Sequence, residues 1–179
     1  MGAGVTALAM IAISLVFVAV AIAVPLGMNY LHRRTVEKLY PVVVPMVPGV
    51  NIRMSDGPFR AEDVSLALWG VALAWPGLPI DEVLGRLDGM RISWVPADPK
   101  LGTRHIIDEW NRHVAGDTRG LFVRVIFLPG DRPADTALLH EPLHILLEAG
   151  GEDGDGEHLR TAVWAIEGAV RRRLLGDSL

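Results

Sequence analysis

The sequence predicts an α+β domain set behind an N-terminal transmembrane helix. Three observations predict it. Residues Val5 to Val24 form an apolar run broken only by Thr6 and Ser14. Two segments rich in β-branched and aromatic residues, Arg91 to Val95 and Leu121 to Leu128, sit among segments of helical period. The stretch Ala137 to Glu148 is apolar except where it carries His140-Glu141-x-x-His144. The expected architecture is a short, mainly antiparallel sheet, a backing helix, a helix bearing that motif and a C-terminal helix. With 179 residues, 50% of them hydrophobic, the chain suits one modest domain and a membrane segment. The expected divisions are an anchor over 1–28, a Pro-rich linker over 29–59 and the domain over 60–179. There is no cysteine, so disulfides and thiolate metal sites are excluded. A net charge of -4 argues against nucleic-acid binding, which needs a concentrated basic field.

Twenty residues at helical rise span about 30 Å, the hydrocarbon thickness of a bilayer. Pro25 and Gly27 are expected to end the helix. Ala21-Ile-Ala23 resembles a signal-peptide cleavage site, but no Lys or Arg precedes the run, which favours a single-pass anchor. Arg33, Arg34 and Lys38 follow it, with Tyr30 as an interfacial residue, and place the C-terminal domain on the inner side. The run suits a lipid bilayer or a hydrophobic protein socket, as inside a virion.

Pro41, Pro45 and Pro48 rule out a helix over 40–50 and leave a stiff spacer or an edge strand. Asn51 to Met54 reads as a short strand before a Ser-Asp-Gly-Pro turn. Glu62 to Trp75 reads as a helix with Val64, Leu68, Val71 and Trp75 on one face, stopped by Pro76-Gly77. Ile80 to Leu87 is a second, shorter helix. Trp69, Trp75 and Trp94 read as core. Gly102 to Gly116 carries His105 and His113, with a helix expected through Ile107 and Trp110; eight residues apart, the two histidines are not a metal pair by spacing. Pro129-Gly130 ends the strand over Leu121 to Leu128, and Arg124 within it suggests one side is partly open.

Residues four apart share a helix face, so His140 and His144 can grip one metal ion. Glu141 then stands one step round the helix, placed to take a proton from water activated by the metal. By composition the motif arises by chance in about 1 in 100 such chains. Asp135 is the expected N-cap, behind Pro133. Pro142 lies about two turns into that helix, where it removes a donor at about 3 kcal/mol. Either it kinks the helix and re-aims His140, or the helix begins later. With no thiolate available, two histidines need a third ligand of His or carboxylate type, and zinc is the metal this set fits. His158, Glu167 and Glu148 are the candidates. His158 and Glu167 are nine residues apart, hence on opposite faces of one helix, and cannot bind the same ion. The stripe Leu159, Val163, Ile166, Val170 lies nearer Glu167. Asp155 is a plausible cap for that helix and could orient a ligand histidine. The surrounding acidic cluster lacks EF-hand spacing and reads as a solvated turn. Arg171-Arg-Arg173 complements the dipole at the helix end.

His140-Glu-Pro-Leu-His144 resembles the active-site helix of the zincin metallopeptidases. Glu148-Ala-Gly-Gly-Glu-Asp-Gly-Asp-Gly-Glu-His158, followed by Trp164, is similar to small zincin-like proteins predicted in bacteriophage genomes. The likeness covers residues 60–175 in layout, with its specific part confined to about thirty residues. It implies that a second helix, entered through the Gly/Asp turn, carries the third ligand, which points to His158. It also implies a strand bordering the cleft, Leu121 to Leu128 or Arg91 to Val95, able to take an extended peptide as an added strand.

The expected function is thus a membrane-anchored zinc metallopeptidase acting on peptide or cell-wall amides, with Glu141 as general base. The metzincin branch is excluded, because Leu147 and Gly150 stand where it needs glycine and histidine. Oxyanion assistance would fall to His105, His113 or an arginine, since both tyrosines, Tyr30 and Tyr40, lie beside the apolar run. The competing expectation is a non-enzymatic virion or membrane-assembly protein, or a homo-oligomer, that keeps the zincin-like fold.

Overall fold

Five strands pair into one mixed sheet: β1 (Val42–Val44), β2 (Ile52–Met54), β3 (Arg91–Pro96), β6 (Gly116–Arg119) and β7 (Phe122–Phe127), in the order β1-β2-β3-β7-β6. The computed structural model describes residues 2–98, 100, 106–107, 113–149 and 165–173; within these it describes the side chains of 18–98, 100, 106, 114–147 and 165–173. The outer pairs β1–β2 and β6–β7 are antiparallel, whereas β2–β3 and β3–β7 are parallel. The expectation of a mainly antiparallel sheet is therefore corrected to a mixed one. Its cause is the chain path. Between β2 and β3 run α2 (Ala61–Ala74) and α3 (Ile80–Arg86), and a helical crossover returns the chain in its original direction.

One sheet face is the core. Val44, Ile52, Met54, Ile92, Trp94, Val123 and Val125 are buried there with Val64, Leu68 and Val71 of α2. Trp94 stacks edge-on against Phe59, ring centres 4.6 Å apart. The alternate positions, Arg53, Arg91, Ser93 and Arg124, are only partly buried. Side chains on successive strand residues point to opposite faces, and the β-branched and aromatic content of β3 and β7 is what made them readable. Both lie inside the sheet, flanked on each side, so neither can take an added peptide strand. The edges are β1 and β6.

Ile106–Ile107 and His113–Val114 form β4 and β5, an antiparallel pair, where a helix through Ile107 was expected. Two β-branched isoleucines suit the extended backbone. Trp110 and His105 lie outside the described residues, as does the side chain of His113.

The N-terminal segment departs most from expectation. Helix α1 (Gly2–Leu39) runs 38 residues, with Pro25 inside it rather than at its end. Beyond Pro25 it has its own helical support. Arg33 pairs with Glu37 at 3.1 Å, one turn on, and the Thr35 hydroxyl donates to the Leu31 carbonyl at 2.9 Å. Arg34 lies over the Tyr30 ring at 5.1 Å. Among the described residues no helix is long and apolar enough to cross a membrane. The turns after Pro25 carry Asn29, His32, Arg33, Arg34, Glu37 and Lys38. The transmembrane anchor, the membrane localisation and the inward orientation of the domain are corrected accordingly. The chain divides between Leu39 and Tyr40 into two compact units, so β1 and β2, from the expected linker, belong to the second.

Asp135 does not cap the motif helix. It closes a 3₁₀ turn, Pro133–Asp135, by accepting the Arg132 backbone N–H at 2.9 Å and the Arg132 guanidinium at 2.9 Å. The guanidinium bond, aided by the backbone bond and the Arg132 and Arg171 charges, outweighs partial burial and holds this carboxyl below the usual carboxylate range. A lowered folded pKa stabilises above the unfolded value, and the contribution disappears as pH falls through the folded one. Asp135→Asn should therefore lower the melting temperature slightly at neutral pH and leave it unchanged at about pH 2. Scanning calorimetry at the two pH values checks this.

Candidate metal centre

The motif helix begins late, which resolves the difficulty with Pro142. After the 3₁₀ turn Ala137–Leu139, α4 spans Glu141–Ala149, so Pro142 sits in its first turn, where its missing N–H has no helical partner to lose. Thr136 starts the preceding turn, its hydroxyl oxygen accepting the Leu138 N–H at 3.2 Å. His140 ends that turn in a right-handed helical conformation, so it stays in register with α4. Leu139, Leu143 and Leu146 are fully buried and set which way the helix faces.

His140 and His144 consequently meet. Their Nε2 atoms lie 3.2 Å apart, with rings edge to face at 64°. Two imidazoles bound tetrahedrally at about 2.0–2.1 Å to one zinc place their nitrogens about 3.4 Å apart. The pair fits that spacing. It also fits one N–H···N bond between a donor ring and an acceptor ring.

Glu141 faces β6. Its side chain is 5% exposed, and Oε2 accepts the Thr118 hydroxyl at 2.7 Å. The same hydroxyl lies 3.1 Å from the Glu141 carbonyl oxygen. One hydroxyl proton is shared between these oxygens, and the carboxylate oxygen is the nearer of the two. Burial pushes the Glu141 pKa up, and the Thr118 bond and the charges of His140 and His144 only partly offset it. Gly116 makes room for this carboxylate. A Cβ there would stand 2.5 Å from Glu141 Oε1 and 2.8 Å from its Cγ.

Glu167, on α5 (residues 165–173), comes to the same histidine from the other side. Its Oε2 lies 3.4 Å from His140 Nδ1. That contact is long for a hydrogen bond, and Oε2 is buried with no hydrogen bond among the described residues. Oε1 is gripped by Arg171, from Nε at 2.9 Å and Nη2 at 2.8 Å. Burial raises the Glu167 pKa, but the His140 and Arg171 contacts outweigh it and hold the carboxyl below its usual range. Burial alone would lower the His140 pKa; the Glu167 contact and the Glu141 and Glu167 charges reverse this, so it is raised.

His158 and Asp155 lie outside the described residues, as does the side chain of Glu148. Among the described residues no group of three or more His, Asp or Glu side chains is placed to hold a metal ion; the described part of the site is the pair. Tyr40 meets Ser93 and Phe122, on the sheet face away from α4. Arg171, apart from Glu167, donates to the Ala134 carbonyl at 2.8 Å and the Thr136 carbonyl at 3.3 Å. Thr118 and Gly116 escaped the sequence reading, because nothing in Gly116-Asp-Thr118 marks contact with a residue 23 positions later. The pairing of Arg171 with Glu167 had a signal in its one-turn spacing.

No family model matches the chain, and neither the curated proteins nor the solved structures contain a match.

If Gly116 is small in order to admit Glu141, the two positions are coupled. Gly116→Ala should cost about 1–3 kcal/mol in the wild-type background and markedly less in a Glu141→Ala background, a coupling of about 0.5–3 kcal/mol. Urea denaturation of the four proteins measures it; equal costs in both backgrounds would contradict the contact.

Proposed function

We propose that the protein is a zinc-dependent amide hydrolase, a metallopeptidase acting on peptide or cell-wall material. The observation that carries this reading is the meeting of His140 and His144 through their Nε2 atoms, with Glu141 as the next residue on the same helix turn. A zinc ion bound there would supply Lewis acidity, acidifying water and polarising a carbonyl. His140 and His144 hold the ion, and His158, by resemblance to the phage zincin-like proteins, is the proposed third ligand. Glu141 accepts a proton at its carboxylate and returns it to the leaving amine. Thr118 donates to this carboxylate and holds it against β6.

A second reading has one observation in its favour. Glu141 is 5% exposed and engaged by Thr118, which suits a carboxylate that is structural rather than catalytic. On that reading the chain is a non-enzymatic assembly or virion module with the same fold.

Elemental analysis of the purified chain, with casein and peptidoglycan hydrolysis assays on wild type and Glu141→Gln, separates the two. The enzyme reading expects about one zinc per chain in both proteins and a hydrolysis rate about 10²–10⁴-fold lower in the variant. Full zinc occupancy with an inactive wild type would favour the assembly reading.

A further inference from the structure

We infer that Glu167 is not a metal ligand but the carboxylate that fixes the tautomer and aim of His140, with Arg171 holding it in place. The inference rests on the metal reading of the histidine pair and deepens it. A ligand carboxylate would approach the space between the two Nε2 atoms. Glu167 Oε2 instead faces Nδ1, the opposite corner of the His140 ring, at 3.4 Å. Arg171 occupies the other oxygen with two N–H groups, which leaves Oε2 as a buried acceptor lacking a hydrogen bond among the described residues. Such an oxygen is strongly disfavoured unless a proton is brought to it, and the atom it faces is one that can carry a proton.

A proton on Nδ1 puts the lone pair of neutral His140 on Nε2, the atom turned toward His144. Free histidine has no such constraint. The carboxylate therefore selects the form of His140 that can bind a cation beside His144, and makes its nitrogen more basic. Arg171 also binds the Ala134 and Thr136 carbonyls, in the turns leading into α4. It thus fastens α5 to the segment that carries His140, and the orientation of one ring is set by both helices.

Glu167→Gln tests this with little change of shape. Arg171 offers only donors, so the new amide presents its oxygen to Arg171 and its NH₂ to Nδ1. That arrangement favours a lone pair on Nδ1 and the proton on Nε2, where it blocks the metal. Long-range ¹H–¹⁵N spectra of the metal-free full chain, followed upward in pH until His140 has lost its second proton, should show it protonated at Nδ1 in wild type and at Nε2 in the variant. Zinc titration should show affinity about 10–100-fold weaker at unchanged stoichiometry. The cobalt(II) absorption bands of the loaded variant should keep their positions, since the ligand set is the same. Arg171→Met, which keeps the carboxylate and removes its clamp, should retain the Nδ1 proton and lose less affinity. A wild-type His140 protonated at Nε2, unchanged zinc affinity in Glu167→Gln, or shifted cobalt bands showing a lost ligand would each overturn the inference. A wild type that binds no zinc but carries the Nδ1 proton would overturn the metal reading of the pair and still support the role of Glu167.

Discussion

Leu139, Leu143 and Leu146, none of them exposed, fix the rotation of α4 about its axis, and the site depends on that constraint. Burying such a side chain is favourable by about 1.5–3 kcal/mol, and truncating one in a packed core costs about 2–5 kcal/mol. With this stripe turned into the core, residues 140 and 144 share another face and Glu141 is delivered to β6. With the helix so turned, the two Nε2 atoms lie 3.2 Å apart.

The same packing buries two carboxylates, Glu141 and Glu167, at 5% and 7% exposure. Burial alone works against both as charged groups. They are treated differently. Glu167 is compensated by a guanidinium and an imidazole and is held ionised, whereas Glu141 has one hydroxyl and is pushed toward its neutral form. On the proposed reading, one of these carboxylates orients the histidine and the other exchanges protons.

Much of the domain was legible in the sequence because local composition and spacing decide it. Arg91–Val95 and Leu121–Leu128, rich in β-branched and aromatic residues, became β3 and β7; Val64, Leu68 and Val71 recur at helical spacing and became the buried face of α2. The meeting of His140 and His144 was legible for the same reason. What was not legible depends on contacts distant in sequence. Parallel pairing of β2 with β3 depends on where a crossover lands, and no local pattern encodes it. Pro142 looked disruptive until two 3₁₀ turns placed it in a first helical turn. Pro25 and Gly27 looked like a stop, yet the Arg33–Glu37 and Arg34–Tyr30 contacts carry α1 onward. Glu167 was read as one candidate for a third ligand, but spacing on one helix cannot tell which nitrogen of a ring on another it will meet.

X-ray absorption at the zinc edge of the full-length protein tests the central claim most directly, because it reports the atoms around the ion whether or not the protein has a substrate. The account predicts two imidazole nitrogens at about 2.0–2.1 Å, with the multiple-scattering pattern of histidine rings. A protein that takes up no zinc, or zinc surrounded by oxygen alone, would contradict it.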